Sequence, residues 1–219
     1  MPVTPVIARD PFDPQSYSGL DRLGRIPLSE SFHLREFLYS EIAVHHGLRN
    51  VPDVGRVQDA VRAGTQLCEQ LLEPLQEVFG RIHVRSGYRS RAVNAAGVGR
   101  HNCAADNDGF HTWDHPHPVH GWGATACISM PRVSRAVLQS GLPYQALAWW
   151  IHERLPNWGH VEFFATPEHS DELCFNIGWS ERPMKSMTSW RGGARNLLAT
   201  MPSAPERAAL VQRLLEATQ

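Results

Sequence analysis

Between Val54 and Phe79 the apolar residues Val57, Ala60, Val61, Leu67, Leu71, Leu72 and Leu75 recur mostly at three- and four-residue intervals. That spacing puts them on one face of a long helix. Pro74 lies inside the pattern and should kink or split it, since proline lacks the N–H that the helix ladder needs. Gly80 then closes the helix, and Ile82-His83-Val84-Arg85-Ser86 reads as a short buried strand. The chain therefore has to fold with helices and strands together.

Other elements read less sharply. Residues 28–37 look like the lead-in to a helix, with Ser31 as its cap. Leu34, Phe37, Leu38 and Ile42 form its apolar stripe and Gly47 ends it. Residues 90–96 suit one or two helical turns. Residues 97–119 have no period and contain Gly97, Gly99, Gly109, Pro116 and Pro118, which reads as an inserted loop. Strand character returns over 124–130, two helices follow over 133–140 and 143–154, and strands over 159–164 and 173–177. A polar stretch precedes a last helix over 205–217, with Ala209, Leu210, Leu214 and Leu215 near one face.

The 219 residues suit one domain with extensions. We expect an arm over 1–27, rich in Pro, Asp and Ser, a domain over 28–180 with the insertion 97–119, and a tail over 181–219. A formal net charge of -1 excludes a global field that would hold the chain on DNA or an anionic membrane. The arginines from 85 to 100 are a modest cluster, more simply a solvated face, so no nucleic-acid partner is expected. No window reaches the roughly 18 apolar residues of a membrane span. The first ten residues lack the basic and apolar regions of a secretory signal, so the expectation is a cytoplasmic product. Cys68, Cys103, Cys127 and Cys174 form no CxxC pair, which favours thiols or a metal ligand over a disulfide framework.

The candidate chemistry sits in His120-Gly121-Trp122-Gly123-Ala124-Thr125-Ala126-Cys127 and in Gly159-His160-Val161-Glu162. A turn that delivers His120, a strand that delivers Cys127 and a neighbouring strand that delivers His160 would give three ligands and an open position. That is the pattern of a catalytic zinc. Taken singly, each residue is more simply a satisfied histidine or a buried thiol. Together with Ser86-Gly87-Tyr88-Arg89-Ser90, Asn94 and Trp158-x-His160, these motifs resemble the zinc D-alanyl-D-alanine carboxypeptidases, a family that includes phage endolysins. Ser29-Glu30-Ser31-Phe32 and Glu36-Phe37 are similar to the lead-in of one branch, and the likeness spans roughly residues 28–165.

The resemblance implies an α+β fold with a small antiparallel sheet flanked by helices, one zinc ion, and cleavage of peptidoglycan stem peptides. It also implies that Arg89 faces the substrate, a role for which a planar guanidinium suits a carboxylate or peptide carbonyl. An enzyme of that kind from a phage or prophage would reach the cell wall by a separate route. Two departures stand out. The carboxylate ligand of the family pattern is Cys127 here, and the positions that often serve proton transfer are Asn157 and Trp158. Glu162 is the nearest spare carboxylate on the strand face of His160 and becomes the candidate catalytic acid or base.

The insertion offers His101, His111, His115 and His117 with Asp106, Asp108 and Asp114, any of which could replace a ligand or simply be solvated. A rival reading is a catalytically degenerate domain that binds a peptide or a protein, the latter through the insertion or the tail. A third makes Cys127 a nucleophile with His120 or His160 as its base.

Overall fold

The computed structural model of the chain describes residues 16–101, 103–164, 172–191, 193 and 195–219. The helices are α1 (Tyr17–Gly24), α2 (Glu41–His46), α3 (Val57–Leu67), α4 (Glu73–Phe79), α5 (Arg91–Gly97), α6 (Pro131–Gln139), α7 (Gln145–Arg154) and α8 (Ala204–Ala217). The strands are β1 (His83–Ser86), β2 (Gly123–Ser129), β3 (Trp158–Phe163), β4 (Phe175–Ser180), β5 (Ser186–Ser189) and β6 (Arg195–Asn196). They form one six-stranded sheet in the order β1-β2-β4-β3-β5-β6. Four of the pairings are antiparallel, but β5 runs parallel to β3. The expected small antiparallel sheet is therefore a mixed one, flanked by helices and carrying a C-terminal helix.

Alternation along the central strands decides which face is core. Ala124, Ala126 and Ile128 of β2, Phe175 and Ile177 of β4 and Phe163 of β3 are fully buried. Helix α3 packs against β2 and β4, α7 against β3, and α8 against α7. Burying such residues is the main driving force for assembling the layers.

The long helix predicted over 54–79 is present, and Pro74 leaves its mark as a π turn. α3 passes through a π turn over Cys68–Leu72 into α4, with Pro74 in the first turn of α4. A wider turn accommodates a residue that cannot donate to the preceding carbonyl and whose ring crowds it. The lead-in differs from expectation. Leu34–Phe37 is a 3-10 turn, and α2 starts anew at Ser40, whose hydroxyl accepts from the Ala43 amide. Ser31 does not cap a helix. Its amide and hydroxyl, together with the Ser29 hydroxyl, donate to the Glu73 carboxylate at 2.7, 2.9 and 2.7 Å.

Two strands went unforeseen, because β5 and β6 lie in a segment that reads as polar. Helix α1 also falls within the expected arm, capped by Ser16. Residues 1–15 of that arm lie outside the described residues.

The segment 97–119 is a loop that belongs to the core. It contributes Trp113, which is wholly buried and donates its indole N–H to the Thr125 carbonyl at 3.2 Å. The Trp113 ring lies 5.2 Å from that of Phe37 and 6.1 Å from that of Tyr88. A Cβ on Gly64 of α3 would come within 2.7 Å of it. Replacing Trp113 with Ala should cost about 3–5 kcal/mol. Denaturant unfolding should show this as a lowered midpoint at unchanged m-value, and a loss under 1 kcal/mol would mean that the loop is not part of the core.

Candidate binding face and metal-capable cluster

The sheet face opposite that core is polar, and the strand register arranges it in rows. Thr125 on β2 stands opposite Gly178 on β4, which stands opposite His160 on β3 and then Ser186 on β5. The next row is Cys127, Asn176, Glu162 and Thr188. Residues two apart on a strand share a face, so both rows look the same way.

His160 lies flat over its neighbouring strand. A Cβ on Gly178 would come within 2.1 Å of His160 Cε1 and 2.6 Å of its Nδ1, so only glycine leaves room for the ring. His160 Nε2 is 3.3 Å from Thr125 Oγ1, and Phe110 packs edge-on against the ring at 5.3 Å. Burial, and then the nearby His120, push the His160 pKa down to about 4. The ring is therefore neutral at physiological pH.

The loop before β2 supplies two further imidazoles. His111 is buried, and its Nδ1 donates to the Gly87 carbonyl at 2.7 Å. Burial, and then Arg89, hold it well below the ordinary histidine range. His120 donates from Nδ1 to the Arg182 carbonyl at 3.0 Å and stacks on His117 with ring centres 4.8 Å apart. Phe110 touches His120 as well as His160. The loop can turn back this tightly because Gly109 adopts φ +68, and a Cβ there would meet the Gly121 carbonyl at 2.6 Å.

Cys127 occupies the row of Glu162. Burial, and then Cys174, push its thiol up to about 12 against the opposing pull of Arg85 and Arg89. It is thus a protonated thiol at neutral pH, unsuited to act as a nucleophile. Glu162 accepts from Asn176 Nδ2 at 3.3 Å and from Trp190 Nε1 at 2.7 Å, so both of its oxygens are engaged.

Arg89, by contrast, has no carboxylate partner among the described residues. Its neighbours Arg85 and Arg91 pair with Glu172 and Asp108, whereas Arg89 Nη1 reaches only Cys103 Sγ at 3.3 Å. Its backbone amide donates to the His111 carbonyl at 2.8 Å, which fixes it beside the polar face.

The zinc site implied by the family resemblance, with cysteine in place of the carboxylate, is overturned. His120, Cys127 and His160 do not bring their ligand atoms together. His160 is spent on the Thr125 row, His120 faces Arg182, and Cys127 lies one row further along, about 7 Å of strand away. Among the described residues, the three ligand atoms that do converge, all within 4.8 Å of one another, belong to Asp53, Asp114 and His115.

That second cluster is largely buried. Asp114 Oδ2 accepts from the Asp53 amide at 3.0 Å and the Tyr88 hydroxyl at 3.1 Å. Asp114 Oδ1 lies 3.2 Å from His115 Nδ1, and His115 Nε2 lies 3.8 Å from Asp53 Oδ2. Only Asp53 is exposed. Two carboxylates and an imidazole suit a divalent ion without choosing zinc over its neighbours, and the trio is able to coordinate one. Asp114 and His115 stood among several candidates in the insertion, but Asp53 carried no signal, being 61 residues away in sequence from Asp114.

Compared with known proteins, the chain matches no family model, no curated protein and no solved structure.

The His160 ring should titrate near 4 by NMR, against an ordinary 6.5. Its folded pKa is depressed, so the unfolded chain takes up the proton first. The associated stability is complete above pH 6.5 and lost as the pH falls towards 4. Gly178→Ala should displace the ring and move its titration back towards 6.5, and an unmoved midpoint would contradict the packing described.

Proposed function

We propose that this chain is a peptide-binding domain whose polar sheet face takes a ligand carboxylate on Arg89. The observation that carries the reading is Arg89 itself, a half-buried guanidinium without an acidic partner among the described residues, set against the neutral His111. An arginine so placed offers paired donors to a carboxylate and is held in position before the ligand arrives. The uncharged rings of His111 and His160 and the protonated Cys127 leave the cationic end of the face unopposed. Peptidoglycan stem peptides, which end in a carboxylate, are the ligand class we assign. Binding without hydrolysis is favoured because, among the described residues, the face brings together neither an activated nucleophile nor three converging metal ligands.

A second reading, metal-dependent hydrolysis of the same peptides, is favoured by the Asp53, Asp114 and His115 cluster. A divalent ion held there would polarise a bound carbonyl.

Calorimetric titration with a stem peptide bearing a free C-terminal carboxylate, beside its C-terminal amide, separates these readings. The carboxylate form should bind, and Arg89→Ala should weaken it roughly 10- to 100-fold, as expected for a charge-assisted hydrogen-bond pair of about 1.5–3 kcal/mol. Mass spectrometry of the mixture with added zinc should show intact peptide. Equal affinity for acid and amide would overturn the carboxylate reading. Cleavage that is lost in Asp53→Asn would establish the hydrolase.

A further inference from the structure

A second group of histidines lies away from that face, where α2 ends beside the loop that follows α5. His45 and His46 close α2, and Gly47 turns the chain away in the left-handed region at φ 64. His101 is brought to them by its own short turn, in which the amides of Arg100 and His101 donate to the Gly97 carbonyl at 3.2 and 2.8 Å. The ring centres of His45 and His46 are 4.8 Å apart, those of His46 and His101 5.7 Å, and those of His45 and His101 6.1 Å.

From this juxtaposition we propose that His45, His46 and His101 bind one first-row transition-metal ion, of the class of zinc, nickel or copper.

The ring centres, although not the nitrogens, stand at a spacing that one ion can bridge. With metal–nitrogen bonds of about 2.0–2.1 Å and tetrahedral angles, imidazole centres around one ion fall about 5.2 Å apart. The three observed separations bracket that value. The rings now meet edge to face, at 82°, 78° and 68°, so rotation of the rings is needed to aim the nitrogens inwards. His45 and His101 are exposed and can turn.

His46 supplies an independent indication. Its Nε2 is closed off from solvent and has no hydrogen-bond partner among the described residues. A buried polar atom left unsatisfied is costly and calls for an explanation, which an ion provides. Arg100 is the charge that opposes a cation here. Three nitrogen donors select zinc, nickel or copper over calcium and magnesium, which require oxygen.

An ion at this place would staple α2 to the loop after α5. That loop carries Cys103, whose sulfur contacts Arg89.

The test is calorimetric titration of tag-free full-length protein with zinc, with thermal unfolding measured beside it. Asp53→Asn blanks the other cluster, and His45→Asn combined with His101→Asn changes only exposed side chains. Wild type and Asp53→Asn should both bind one zinc attributable to this site and gain thermal stability from it, reversed by chelator. In the double variant that equivalent should weaken at least tenfold and the thermal gain should vanish, with unchanged circular dichroism. The proposal is overturned if the double variant binds zinc in the same number and affinity as wild type, or if wild type binds none.

Discussion

The Asp114 carboxylate organises the polar half of this molecule. It is buried, and it meets the Asp53 amide, the Tyr88 hydroxyl and His115 at once. A buried carboxylate with those partners removed would be strongly penalised, so the two segments that supply Asp53 and Tyr88 have to come to the loop of Asp114 and His115. Arg56 adds a hydrogen bond to the Asp114 carbonyl at 3.2 Å. Through this knot the loop before β2 is tied both to the approach to α3 and to the turn after β1. The placements of Trp113 in the core and of Phe110, His111 and His120 at the sheet face follow from it.

The chemistry of the face follows from where that loop puts its residues. His111 is buried and His160 and Cys127 are half-buried on the sheet face, and this desolvation keeps both rings neutral and the thiol protonated. Burial disfavours the charged form of each. Arg89 has no carboxylate partner among the described residues, and Glu162, hydrogen-bonded by Asn176 and Trp190, is the carboxylate of the same face. The same low-dielectric surroundings that silence the thiol strengthen whatever Arg89 binds. On this rests the proposal that the face holds a ligand carboxylate through Arg89.

Much of the fold was legible. The helical stripe from Val57 to Leu75, the Gly80 stop and the strand behind it came directly from spacing, as did the terminal helix with Leu214 buried. Strands β5 and β6 escaped because β5 (Ser186-Met187-Thr188-Ser189) pairs through its backbone and buries only alternate residues, and β6 has just two residues. The site was harder to read. The spacing of His120, Cys127 and His160 is a statement about order along the chain, whereas convergence depends on register. Pairing of β2 and β3 with β4 puts His160 beside Thr125 and leaves Cys127 in the next row. Asp53 joins Asp114 across a long loop closure that no local pattern encodes.

The claim that this face holds no metal is tested most directly by zinc content, measured by mass spectrometry on zinc-saturated, desalted wild type beside His120→Ala and Cys127→Ser. The three proteins should carry the same number of zinc ions per chain, because neither residue is a ligand. A loss of one zinc in both variants would contradict the account and restore His120 and Cys127 as partners in a single metal site.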